Sequence, residues 1–369
     1  FGLVLGGRSM DFDVSVRYRW VDPTQGEQMR PLVVVPPVSI VMKDHVLFSI
    51  KGAETVASVV VSPLRPAFRG VVRLDLPPGW TSNPETQAVE WDSTATDRTL
   101  TFRLSPGAGA ENGTVRAVLD SDGKLYAHSV TSISYPHFEP HILLQRSESK
   151  LLLLDLKKAG TRIGYIMGSG DEVAQLLARI GYQVDLLSDD DIETEDLGIY
   201  DAIVAGVRAY NTRPALRASH ERLMRYVGHG GRYVVQYVTR QQLPASGIGP
   251  YPFSISNARV SVETAPIVLS RPDHPLLLGP NRISSDDFDG WIQERGLYFA
   301  GEWDTRYETV LISNDPGEDP RAGGLLFARY GEGYFIYTGY SWFRQLPAGV
   351  PGAFRLFVNL LSQEIGLPR

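Results

Sequence analysis

The spacing of apolar positions changes character along the chain. Through residues 46–135 apolar side chains recur in short runs, HVLFSI, TVASVVVS, GVVRLDLP, RTLTFRLS, TVRAVLD and HSVTSISY, parted by turn residues and without helical period. Runs of that spacing predict an antiparallel, immunoglobulin-like β-sandwich. Beyond residue 151 the runs become continuously apolar, at 163–167 (IGYIM), 182–187, 202–207 and 232–238. A strand with no polar alternation is buried on both faces, as in a parallel sheet. Helical periods lie between these runs: Val173, Leu176, Leu177 and Ile180, stopped by Gly181, then Leu216, Leu223, Met224 and Val227 over 214–227, stopped by Gly230 and Gly231. Strand and helix in alternation predict an α/β fold, a doubly wound, mainly parallel flavodoxin-like sheet. GGLLFARY and GYFIYTGY, joined at 331–333, predict a hairpin, and 353–365 a closing amphipathic helix.

The flanks of these regions set the domain expectation. DFDVSVRYRW alternates like a strand and is followed by a turn at 22–26, so it reads as the last hairpin of a preceding β domain. Residues 32–41 contain Pro36 and Pro37, which donate no ladder hydrogen bond, and read as an extended linker. The expected division is therefore 1–45 as remnant and linker, 46–140 as sandwich and 150–369 as the α/β domain. A proline-, glycine- and serine-rich excursion at 241–282 should cross the carboxyl edge of the parallel sheet.

Composition narrows the function classes. A chain of 369 residues is expected to hold two or three domains. Its net charge of -6 is spread out, with no clustered basic face of the kind nucleic acid requires. No apolar run approaches the ~20 residues of a membrane span. There is no cysteine, which removes disulfides, thiolate metal sites and cysteine nucleophiles. The opening FGLVLGGRSM has neither a charged n-region nor a long h-region and does not start with methionine, so the chain is expected to be part of a longer product.

Candidate chemistry gathers at three places. Gly168, Ser169, Gly170 and Asp171 leave the carboxyl end of the first parallel strand, where open α/β sheets hold ligands. Arg208, Tyr210 and Asn211 leave the third, and Arg208 either clamps an anion or ties down Asp171 or Glu172. SSDDFDGWIQERG places Asp286, Asp287, Asp289 and Glu294 around Trp291. An aromatic face beside carboxylates suits a sugar, and the alternative is a solvated turn with a buried tryptophan and an internal Glu294–Arg295 pair. Tyr340, Arg344 and Gln345 follow the last strand and are expected at the same edge. His137 and His141 in YPHFEPH are expected as junction histidines, because two prolines oppose the helix that would align them on a metal. His229 reads as a helix C-terminal cation, His274 as a turn residue and Trp80 as a packed aromatic. RYVVQYVTR offers Gln236 and Thr239 but no evident nucleophile, and no Gly-x-Ser-x-Gly elbow occurs.

Longer strings carry a family resemblance. LPPGWTSNP at 76–84 resembles the strand-end signature of the bacterial NEW3 domain, an immunoglobulin-like module often attached to carbohydrate-active enzymes. The order of elements after it resembles the class I glutamine amidotransferase-like fold and its ThuA-like branch. GYIMGSGDEV, YDAIVAGVRAYN, GPYPFSIS, DFDGWIQERGLYF and FRQLPAGVPGAFRLFVNLLS are similar to the C-terminal region of large bacterial PIG-L (LmbE-like) deacetylases. That family removes the acetyl group from N-acetylglucosamine-type sugars with a zinc domain bearing a motif like His-Pro-Asp-Asp-Glu. No such motif occurs here, and the nearest string is DPGED at 315–319.

The resemblance therefore implies a non-catalytic accessory region that binds or positions a glycan, with no cofactor in this chain. Zinc belongs to a deacetylase domain of the same polypeptide, the expected partner, and the setting is secreted or periplasmic. Two other readings stand beside it: a cryptic carbohydrate hydrolase using the 286–294 carboxylates as acid and base, and a structural assembly module.

Overall fold

The computed structural model describes residues 1–92, 96–135, 138–240 and 247–362. The chain divides into two compact units, Phe1–Leu151 and Leu152–Arg369.

In the first unit two antiparallel sheets carry the alternating runs. One orders Val38–Met42, Thr55–Pro63, Arg98–Pro106 and Trp80–Asn83; the other orders Thr86–Trp91, Phe68–Asp75, Gly113–Ser121, Glu148–Leu154 and Val46–Ile50. Every second side chain is buried, for instance Ala57, Val59 and Val61 on one strand and Phe102 and Leu104 on its neighbour, as a one-sided sheet requires. Trp80 is among them, its indole N–H donating to the carbonyl of Glu111 at 2.8 Å.

Two sequence expectations for this unit change. Val38–Met42, assigned to the linker, is an edge strand: the prolines precede it, so its own amides can pair with Thr55–Pro63. HSVTSISY belongs to neither large sheet, because His128–Tyr135 pairs with Phe138–Arg146 as a separate hairpin. The hairpins Gly2–Leu5 with Arg8–Asp11 and Arg17–Asp22 with Gly26–Pro31 pair within themselves. Arg17 ties the second to Glu139 at 2.5 Å.

In the second unit a seven-stranded sheet runs Gln183–Leu186, Arg162–Ile166, Ala202–Ala205, Arg232–Gln236, Gly333–Thr338, Leu325–Tyr330 and Glu308–Thr309. The four strands expected as parallel neighbours are parallel neighbours, and Gly333–Thr338 extends the parallel run. The last two strands turn antiparallel, through the hairpin expected at 331–333.

The fold class expected from sequence is nevertheless overturned. The chain is mostly β, with 43% strand and 16% helix, and it is not a mainly parallel, doubly wound flavodoxin-like fold. Among the described residues, parallel pairs occur in the seven-stranded sheet alone, while every other sheet is antiparallel. The helices are also too short to wind both faces: Val173–Arg179 spans 7 residues, and the helix expected over 214–227 breaks at Ser219 into Ala215–Ala218 and His220–Gly228. The excursion contributes short antiparallel strands, Phe253–Ile255 with Ala300–Trp303 and Ile267–Leu269 with Leu311–Ser313, which no long apolar run announced. The C-terminal helix spans Pro351–Leu361, with Phe354, Phe357 and Leu360 in the core.

Candidate functional site

Parallel pairing puts Ile166 beside Ala205, and Gln236 beside Thr338, so the segments that follow these residues emerge at one edge. The first two are locked together. A Cβ on Gly168 would overlap the carbonyl oxygen of Val207 and lie 2.6 Å from the Ala209 nitrogen, so only glycine permits this approach. Ser169 donates its N–H to that carbonyl at 2.9 Å and its hydroxyl at 3.2 Å. The Asp171 carboxylate accepts from the Tyr165 hydroxyl (2.6 Å), from Val173 N–H (3.0 Å) and from Val207 N–H (3.1 Å). Gln236 donates to the same Tyr165 oxygen at 2.9 Å. Asp171 is thus a brace between the two segments, and its lone pairs are committed to the protein.

The residues after Ala205 separate into one available group and two structural ones. Arg208 sits at φ 58, its N–H donating to the Tyr237 carbonyl at 2.9 Å, and its side chain is exposed. Tyr210 is buried: it accepts from the Tyr233 hydroxyl at 3.0 Å and donates to Ile248 O at 3.4 Å, and burial pushes its pKa up. Asn211 makes a two-way amide bridge to Thr239, donating to its carbonyl (3.1 Å) and accepting its N–H (2.9 Å). Tyr210 and Asn211 were expected as ligand groups; both instead hold the loop that presents Arg208.

The acidic excursion also departs from expectation. Trp291 is 3% exposed, packed among Phe288, Tyr340 and Trp342, with its indole N–H donating to Asp287 O. Contact with three aromatic neighbours outweighs the adjacent carboxylates, so Trp291 is a core side chain without a face for a sugar. Asp287 caps the turn by accepting Ser284 N–H at 2.8 Å, and pairs with Arg355 at 2.8 Å. Asp289 is exposed. Glu294 does not pair with Arg295: its carboxylate, 3% exposed, is forked between Arg259 (2.6 Å) and Arg344 (2.9 Å). Arg295 instead donates to the carbonyls of Ala265 and Phe288. Asp287 and Glu294 are both tied into ion pairs, which leaves Asp286 and Asp289 as the exposed carboxylates of the loop.

What the sequence reading missed is a stack of rings at the same edge. Tyr237, the residue after Arg232–Gln236, stacks on Tyr298 (centroids 5.7 Å apart, planes 13° apart) and packs against Phe343 at 5.4 Å. The Arg344 guanidinium lies 5.0 Å from the Phe343 centroid. Tyr237 is buried, while Tyr298 and Phe343 are half-buried and keep part of each ring open. Burial raises the Tyr237 pKa; Arg208 and Arg344 pull it down, and Tyr298 and Glu294 push it up. Tyr298 at φ 53, Gln293 at φ 64 and Arg208 at φ 58 are the positive-φ non-glycine residues described in this unit, and they converge on this ledge. A left-handed aromatic residue persists only where its surroundings over-determine it, and such strain gathers at functional sites. The available signal was YFA after a glycine and QYV at a strand end, which read as ordinary core.

The histidines behave mostly as packing and capping groups. His137 lies outside the described residues; His141 is exposed and bonds Glu139 O at 2.6 Å. His229 is the C-terminal cap of His220–Gly228. His274 caps Pro275–Leu278. Among the described residues no cluster of His, Asp and Glu is arranged to hold a metal ion. No described helix is long and apolar enough to cross a membrane.

No family model matches the chain, and no curated protein matches it. Among solved structures it is similar to a β-galactosidase from Rahnella sp. R3, at 15% identity over 57% of this chain and 32% of that one, with a TM-score of 0.34. It is similar to a β-galactosidase from Bacillus circulans sp. alkalophilus at 16% identity over 56% and 31%, with a TM-score of 0.34. A GH5 xyloglucanase from Bacteroides ovatus matches at 10% identity over 54% and 45%, with a TM-score of 0.20. The chain spans about a third of the length of those β-galactosidases. Superpositions this loose carry no argument about fold or activity.

Proposed function

We propose that this chain is a non-catalytic accessory region that binds or positions a glycan for a PIG-L-type N-acetylglucosaminyl deacetylase, in a secreted or periplasmic setting. The observation that carries the reading is the Tyr298–Tyr237–Phe343 ledge, because half-open rings flanked by arginine donors match the apolar faces and hydroxyls of a sugar. The family resemblance supplies the sugar class and the deacetylase partner, whose domain would hold the zinc.

Isothermal titration of the intact chain with chitotetraose tests it. Phe343→Ala should weaken binding by about 1–3 kcal/mol, the scale of a lost aromatic contact at a binding hot spot, while the fold persists. Chitotetraose that binds wild type and Phe343→Ala equally, or neither, overturns the reading. The assembly alternative draws support from one separate feature: Val4, Leu5, Val14, Val16, Val21 and Val34 are exposed apolar side chains within the first 35 residues. The same proposal assigns this surface to contact with the deacetylase domain.

A further inference from the structure

Arg208 has a guanidinium that meets no partner among the described residues, whereas Arg344 and Arg259 are both engaged by Glu294. Its position is held from several sides. Its N–H bonds Tyr237 O, and the preceding residue, Val207, is fixed by Asp171 on its N–H and by Ser169 on its carbonyl. A non-glycine residue at φ 58 is strained, so this network holds an arginine where a glycine would sit without strain. Glu294 is taken up by Arg259 and Arg344, Glu263 accepts the Gln293 N–H, and Asp171 accepts from three donors of its own loops. Among the described residues no ion pair joins any of these carboxylates to the Arg208 guanidinium. An unpaired guanidinium beside half-open rings suits a ligand that stacks and carries an anion, and a guanidinium fork reads a planar carboxylate or a sulfate through paired N–H donors.

We infer that the ledge selects an acidic sugar, with Tyr298 and Phe343 stacking on the ring and Arg208 binding the anionic substituent, a carboxylate or a sulfate ester. This rests on the glycan reading above and adds the charge of the ligand to it.

The test titrates the intact chain with a hyaluronan tetrasaccharide, its neutral carboxyl-methyl ester, O-sulfated chitotetraose and chitotetraose. The expected result is that at least one charged sugar binds about tenfold or more tighter than its neutral counterpart, roughly the contribution of one charge-assisted pair. Which charged sugar gains distinguishes carboxylate from sulfate. In Arg208→Gln the charged-to-neutral ratio should fall to about one, and Arg208→Lys should restore part of it, a point charge without the fork. Phe343→Ala should weaken charged and neutral sugars alike. Equal affinity for charged and neutral sugars, with Phe343→Ala still weakening both, overturns the acidic-sugar inference and leaves the glycan reading standing. A charge preference that persists in Arg208→Gln also overturns it, since another group then reads the anion. Failure of every sugar to bind the wild-type chain removes both.

Discussion

His274 should make the second unit lose stability as the solution is acidified from neutrality. Its ring is buried edge-on against Phe327 at 4.9 Å, and its Nδ1 accepts the Leu276 N–H at 3.2 Å, starting Pro275–Leu278. That bond needs an unprotonated Nδ1, so protonation would set two donors against each other and remove the cap. The surrounding cleft, about 390 Å³, is lined by Arg271, Asp273, Glu308 and Arg329. Burial depresses the His274 pKa to about 4; Glu308, 3.9 Å from Nε2, opposes the shift, and Arg271 and Arg329 add to it. The unfolded chain takes up the proton near the ordinary value of 6.5. Folding is therefore penalised progressively as pH falls from 6.5 toward 4, and the contribution is fully restored above 6.5. Linkage between those two values gives a loss of about 2 kcal/mol at pH 5.

The perturbation is His274→Gln, whose amide oxygen can accept the same N–H without titrating. Urea unfolding of the intact chain at pH 7.5 and pH 5, read by hydrogen exchange at the Leu276 and Leu277 amides, reports this unit locally. Wild type should lose about 2 kcal/mol more than His274→Gln between the two pH values, by the same linkage. Equal losses in the two proteins, or an NMR titration placing the His274 pKa near 6.5, would refute the reasoning.

Three further outcomes follow from the packing. Trp291→Ala should lower stability by about 3–5 kcal/mol, the scale of a deleted core aromatic, with chitotetraose affinity of the folded fraction unaltered; lost affinity at unchanged melting temperature would return Trp291 to the site. Arg259→Ala and Arg344→Ala should each cost about 1 kcal/mol, because Glu294 keeps one partner. The double variant should exceed their sum and reach about 3–5 kcal/mol, because a buried carboxylate is then unpaired; additive costs in a double-mutant cycle would contradict the forked geometry. Gly168→Ala should destabilise the second unit by more than the fraction of a kcal/mol typical of surface substitutions, since the new Cβ meets backbone; a melting temperature at wild-type level would count against the locked loops.

The legible part of this fold was the part with a strong period. Ile163, Val204 and Val234 sit in uninterrupted apolar runs, and their burial on both faces is what makes such runs parallel strands. The antiparallel majority was less legible beyond the sandwich, because strands such as Ile267–Leu269 and Phe253–Ile255 hold only three residues each, too few to reveal a period. Val38–Met42 was hidden by two prolines that end just before it. At the site, the meeting of the Gly168 and Arg208 segments was readable from parallel strand ends. The role of Trp291 was not, because neighbouring carboxylates in sequence point to Ser284 and Arg355 in space. Nor was the ring ledge, since Tyr237, Tyr298 and Phe343 lie far apart in sequence, and arginine and tyrosine give no sign of a left-handed backbone.

Hydrogen–deuterium exchange of the intact chain with and without chitotetraose tests the central claim most directly, because it locates a glycan without presuming the contact. Binding at the ledge predicts slowed exchange in peptides covering 206–213, 237–240, 293–299 and 341–345, with 284–291 unchanged. Protection confined to 284–291 or to the first unit, or no protection at saturating sugar, would contradict it.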